Sequence, residues 1–182
     1  FLNTFRPPFF DFNPYDIIGH LSVTSVANLV AGLPFFTLDD LIHERSIYQD
    51  IVGDALREKG FEAPYYSPEK AGEIIGRRSQ EYHFSLFEYF QTDMAGHGQQ
   101  MGQAVMILQR LEAFVASVLS HADLRRTLVI LTSDHGNIED LSWRGHTRNP
   151  AMTLLFGPYA EQIAPQLTSI LDVYPLMSSF CD

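Results

Sequence analysis

Apolar positions along this chain follow two different periods. Met101, Val105, Leu108, Leu111, Val115 and Val118 fall three or four residues apart over about five turns, which predicts a helix over 98–119. Ser67-Pro68-Glu69 opens another helix, with proline at its first position and Ala71, Ile74, Ile75 and Arg78 on one face, ending near Glu81. Ser22–Ala31 predicts a short helix closed by Gly32 and Pro34, and Thr37-Leu38-Asp39-Asp40 caps a helix over 38–44. Short unbroken apolar runs stand elsewhere. Leu128–Leu131 and Ala151–Phe156 lack alternation, as central parallel strands covered on both faces do, and the aromatic run His83–Thr92 predicts a buried strand. Residues 1–16 read as irregular, and Gly53 argues against one continuous helix over Ser46–Lys59. Leu167–Phe180 predicts a terminal helix interrupted or kinked at Pro175. Helices alternating with short apolar strands indicate an α/β layered fold, and no repeat or linker divides residues 1–182.

Composition narrows the function classes. With 46% hydrophobic, 13% aromatic and 19% charged residues, the 182-residue chain reads as a soluble globular domain or part of one. Its formal net charge of −10 argues against a nucleic-acid surface but not against an anionic substrate, because bound divalent cations dominate their local field. No uninterrupted apolar run reaches the roughly 18–20 residues of a membrane span, so no membrane is expected as a partner. The single cysteine, Cys181, has no partner for an internal disulfide, which fits a reducing, cytoplasmic setting. The first residue, Phe1, is not methionine, and the chain is expected to be part of something longer.

The chemistry gathers where apolar runs end. Ser133-Asp134-His135-Gly136-Asn137 follows one such run, with His146 in a polar loop beyond it, and Asp93-Met94-Ala95-Gly96-His97 follows another. In open α/β sheets functional groups cluster beyond the carboxyl ends of strands. Asp93 and His97 are four residues apart and reach one point from a loop or a first helical turn. Asp134 and His135 are adjacent, so their side chains diverge unless Gly136 allows a sharp turn, and they serve or bridge two metals more readily than one. Mixed Asp/His ligation suits zinc or manganese, with iron also open. Two such ions about 4 Å apart would clamp an in-line displacement at phosphorus, with Arg144 and Arg148 placed to meet phosphate oxygens. Each group also has a bland role: Asp134 and Asp93 as helix caps, the histidines as hydrogen-bonded loop residues, the arginines as solvated surface charges. His20, His43, His83 and His121 lack a carboxylate at suggestive spacing and read as structural.

Three motifs together, Thr92-Asp93-Met94-Ala95-Gly96-His97, Ser133–Asn137 and His146-Thr147-Arg148-Asn149-Pro150, resemble those of the alkaline phosphatase superfamily. They are most similar to the branch of cofactor-independent phosphoglycerate mutase and phosphopentomutase, strongly over 83–158 and more weakly over 17–82. The resemblance implies a three-layer sandwich with a mostly parallel central sheet, two divalent metal ions and a small phosphorylated substrate. It also implies that Asp93, His97 and His146 hold one metal, while Asp134 and His135 form part of the second site. That family completes the second site with an Asp-Gly motif and a Ser or Thr nucleophile earlier in its order. This chain has no Asp-Gly pair, and Ser22, Thr24 and Ser25 are poorly placed as nucleophiles. The resemblance therefore implies the C-terminal part of a phosphatase or phosphomutase, without its N-terminal portion. Self-association, or pairing with that portion, is expected of such a piece. With no room for a large inserted domain in 98–182, hydrolysis is more plausible than mutase turnover. A sulfatase is disfavoured because Cys181 lacks the Cys-x-Pro-x-Arg context. The alternative is a metal-binding or interaction domain without catalysis.

Overall fold

A computed structural model describes residues 1–180. Cys181 lies outside them. Short capped helices open the chain. Helix α1 (Val23–Val30) starts at Ser22, whose hydroxyl accepts from the Ser25 amide. Helix α2 (Leu38–Ile42) starts in a reciprocal box in which Thr37 and Asp40 satisfy each other's backbone amides. The ambiguous 46–59 stretch resolves into one turn, α3 (Asp54–Arg57), preceded by Gly53 at φ +77°, a conformation glycine adopts without strain. Asp50 accepts from the Gly53 and Ala55 amides at 2.8 and 2.7 Å, fixing that corner.

Two longer helices carry the core. Helix α4 (Pro68–Arg78) is capped by Ser67, has proline at its start, and places Arg77 and Arg78 in its last turn, where the helix dipole favours cations. Helix α6 (Met101–His121) follows α5 (Gln91–Gly98) after a left-handed Gln99. α4 lies against α6 so closely that a Cβ on Gly72 would meet the Phe114 carbonyl oxygen at 2.4 Å, and one on Gly76 the Val118 carbonyl oxygen at 2.8 Å. Ser117 spans the same contact, donating to the Glu69 carbonyl at 2.6 Å. Ile74, Ile75 and Phe114 then join Leu41, Ile47, Ile51 and Leu56 in one buried cluster. A smaller cluster of Ala95, Ala104 and Ile107 joins α5 to α6. The rest of α6 is open, with Met101 67% and Leu108 45% exposed. An 18-residue window within its 21 residues reaches a mean hydropathy of 1.2, enough by length and composition alone to cross a membrane.

The sheet departs from the sequence expectation. Among the described residues it has two strands, β1 (Val129–Leu131) and β2 (Leu154–Phe156), paired antiparallel with Ile130 opposite Leu155. The mostly parallel central sheet of a three-layer sandwich is not formed by these residues. His83–Phe90 is not a strand either. The Asn3 side chain grips it at the Glu88 backbone: the Glu88 amide donates to Asn3 Oδ1 and Asn3 Nδ2 donates to the Glu88 carbonyl. Beyond β2 come α7 (Ala160–Ile163) and α8 (Val173–Ser178). Pro175 does not break α8, because it sits in the first turn, where no amide needs a helical partner.

The α4–α6 contact gives a direct test. Gly72→Ala is expected to destabilise the protein by about 1–3 kcal/mol, the cost of forcing a methyl group into a filled contact. Chemical denaturation should show it as a lower midpoint, whereas Gly102→Ala, with open space at its Cβ, should not cost this amount.

Candidate metal centre

Helix α5 carries the first two candidate ligands. Asp93 lies in its first turn and His97 in its last, four residues on and over the same face. His97 Nε2 stands 3.3 Å from Asp93 Oδ1. Its other ring nitrogen, Nδ1, is 2.6 Å from the Arg144 carbonyl oxygen, a contact that requires the proton on Nδ1 and so makes Nε2 the lone-pair nitrogen of the neutral ring.

The other histidines arrive from the segment after β1. Gly136 and Thr147 form an isolated antiparallel bridge, with the Thr147 amide donating to the Gly136 carbonyl at 2.9 Å. The bridge folds the 133–139 and 146–149 segments together, and the His135 and His146 rings stack with centroids 3.6 Å apart. His146 Nε2 lies 3.2 Å and His135 Nε2 3.9 Å from the same Asp93 oxygen. Gly136 serves the fold by lacking a side chain and not by adopting a left-handed turn. A Cβ there would meet Thr147 Oγ1 at 2.2 Å, and its φ is not positive.

Three imidazole nitrogens thus surround one carboxylate oxygen. Asp93 Oδ1 is buried, yet no described group makes a hydrogen bond to it. A buried anionic oxygen without a donor is costly, and lone pairs aimed at a common point are what a cation needs. One donor atom each from Asp93, His97 and His146 lies within 4.8 Å of the others. These residues fit a divalent ion on their own chemistry. His135 belongs to the same cluster in space. Asp134 stands apart, its side chain 75% exposed and 3.5 Å from His135 Nε2. The Arg144 and Arg148 side chains are exposed and make no described hydrogen bond or ion pair, and Arg144 contributes its backbone carbonyl.

Two residues that the sequence reading passed over hold this arrangement. Asn137 is 4% exposed and packs directly on α5: a Cβ on Gly96 would lie 1.3 Å from its Oδ1. Glu139 ties the two histidine segments. One carboxylate oxygen accepts from the Asn137 amide at 2.6 Å, and the other accepts from the Thr147 hydroxyl and from Asn149 Nδ2 at 3.0 Å. The Thr147 hydroxyl chiefly, with the Asn149 and Asn137 donors, holds the Glu139 carboxyl down at about 2. The spacing carried a faint signal: Thr147 and Asn149 alternate along an extended stretch and so present their donors on one side.

A family model described as the Metalloenzyme superfamily matches residues 63–177. The 2,3-bisphosphoglycerate-independent phosphoglycerate mutase of Synechocystis sp. is 28% identical over 101 residues, covering 51% of this chain and 19% of that protein. The protein of the same name from Methylobacillus flagellatus is 24% identical over 104 residues, 53% of this chain and 20% of its own length. Its namesake from Legionella pneumophila strain Lens is 26% identical over 118 residues, 56% of this chain and 23% of its own. The chain thus spans about a fifth of the length of these relatives. No solved structure matches it.

Glu139→Gln keeps the shape of the tie and removes its charge. Metal affinity is expected to fall by about tenfold, as for other groups that orient ligands, and the melting temperature at pH 7 by about 2–4 °C. Because the Glu139 pKa is lower folded than unfolded, its contribution is complete above about 4.5 and disappears as pH falls from there toward about 2. Melting curves of both proteins without metal should therefore converge across that window, and a constant gap would contradict the role given to the charge.

Proposed function

This chain belongs to the Metalloenzyme superfamily, and from that premise we propose that it is the metal-binding part of an enzyme that moves a phosphoryl group from a small phosphate ester. The observation that carries the reading is the convergence of His97, His135 and His146 on the undonated Asp93 oxygen. A divalent cation, zinc or manganese by the donor set, would supply Lewis-acid polarisation of a phosphoryl oxygen. Asp93, His97 and His146 would hold it. His135 and the 75% exposed Asp134 carboxylate would contribute to a second ion. Arg144 and Arg148, exposed beside His146, are proposed to meet phosphate oxygens.

The chain's own residues set proton positions. The Arg144 carbonyl keeps His97 in the tautomer protonated on Nδ1, and Glu139, anionic at neutral pH, ties the His146 loop to the Asn137 segment. No residue among these is an activated nucleophile. The nucleophile and the remaining ligand of the second ion are assigned to residues outside this chain, together with the further strands that would complete a three-layer sandwich. Relatives about five times longer than the matched stretch support that assignment. The names of the relatives favour transfer within one substrate.

Metal analysis tests the site independently of turnover. Asp93→Ala and His146→Ala are each expected to lower zinc or manganese affinity by at least about tenfold, by calorimetry. Unchanged binding in both would remove the assignment. For the full-length protein, chelation should abolish phosphate release from a simple aryl phosphate or conversion of a phosphoglycerate, and added manganese or zinc should restore it. Metal binding without either activity would favour a non-catalytic domain.

A further inference from the structure

A second concave site lies apart from the metal ligands. The N-terminal segment, the start of α1 and the stretch before α5 line an open cleft of about 400 Å³, within the size range of small-molecule pockets. One wall is aromatic. Phe5 and Phe9 pack at a centroid distance of 4.5 Å, each braced by Phe35 at 4.6 and 4.8 Å, and Phe12 stands at the rim. The facing side is polar and prearranged. Glu88 is fixed through its backbone by Asn3, and its Oε2 accepts from Ser22 at 2.9 Å and Thr24 at 2.6 Å. Ser25, 4% exposed, adds a hydroxyl 2.9 Å from that of Ser22. Both donors converge on Oε2, and Oε1 takes no hydrogen bond from any described residue.

We propose that this cavity binds a flat, uncharged ring system bearing hydroxyl or amino donors, the chemistry of a nucleoside. The aromatic wall offers faces for a ring to stack on. Glu88 offers an oriented acceptor for a hydroxyl or amine, and the serine hydroxyls offer exchangeable donors and acceptors. Glu88 and Arg6 line the same cavity with opposite signs, so the lining favours neither a simple anion nor a simple cation. Phe90 lines the cavity and immediately precedes α5, three residues or about 5 Å along the helix axis from Asp93.

Adenosine is the probe, titrated into the full chain without metal and followed by ligand-observed NMR and calorimetry. Binding tighter than about 1 mM is expected. Glu88→Gln should weaken it by about tenfold, the loss of one charge-assisted hydrogen bond. Phe12→Ala, at a residue 58% exposed and so a small risk to folding, should weaken it by at least about threefold. Asp93→Ala should leave it unchanged. No binding at 1 mM on the scale of ordinary ligand affinities (~4 kcal/mol), equal affinity in the Glu88 and Phe12 variants, or loss in Asp93→Ala would each overturn the site. Because no metal or turnover enters this experiment, its failure is separate from failure of the phosphoryl-transfer reading.

Discussion

The close approach of Gly96 to the Asn137 side chain is the contact on which the candidate centre depends. With no side chain at 96, α5 can lie directly on the loop that follows β1, and Asn137 fills the space a methyl group would occupy. Asn137 also offers its amide to Glu139, whose second oxygen holds Thr147 and Asn149. A continuous set of short contacts therefore runs from the helix bearing Asp93 and His97, through the loop bearing His135, to the loop bearing His146. The Arg144 carbonyl closes the circuit by returning to His97. Each link is modest, but together they place three imidazoles around one carboxylate oxygen with little help from a sheet.

That local wiring separates the centre from the main core. The larger apolar cluster is built from α4, one face of α6 and the 41–56 segment, and its closest contact is the glycine-lined crossing of α4 on α6. The candidate ligands are carried by α5 and the loops after β1, and the small cluster of Ala95, Ala104 and Ile107, with Ile138 and Leu141 packed on it, joins these to α6, while Tyr89 packs against both clusters. Half-exposed ligands over a small apolar base should open more readily than the core does. Bound metal would then be a main source of order there, since binding to the folded form stabilises it by mass action.

Local signals in the sequence were legible, and non-local ones were not. Ser22, Thr37 and Ser67 announce helix starts because a cap acts within one turn, and the spacing of Leu108, Leu111, Val115 and Val118 announces α6 because a helix repeats locally. Asp93 and His97 share a helix face by their spacing alone. Strand partners lie far along the chain, and a run such as Val129–Leu131 does not encode the direction of its neighbour; it pairs antiparallel with Leu154–Phe156. His83–Thr92 was misread for a related reason. Its backbone bonds to the Asn3 side chain and to Leu2, with no ladder partner among the described residues, and α5 begins at Gln91 within the expected strand. Glu139 escaped notice because its partners are donors on a loop, and only the alternation of Thr147 and Asn149 hinted at them.

The central claim is that Asp93, His97 and His146 meet at one cation. Anomalous diffraction from crystals loaded with zinc or manganese tests it most directly. The account predicts a peak bonded to a carboxylate oxygen of Asp93 and to Nε2 of His97 and His146, with His97 Nδ1 still on the Arg144 carbonyl. A peak coordinated by other residues, or bound to His97 through Nδ1, would contradict it.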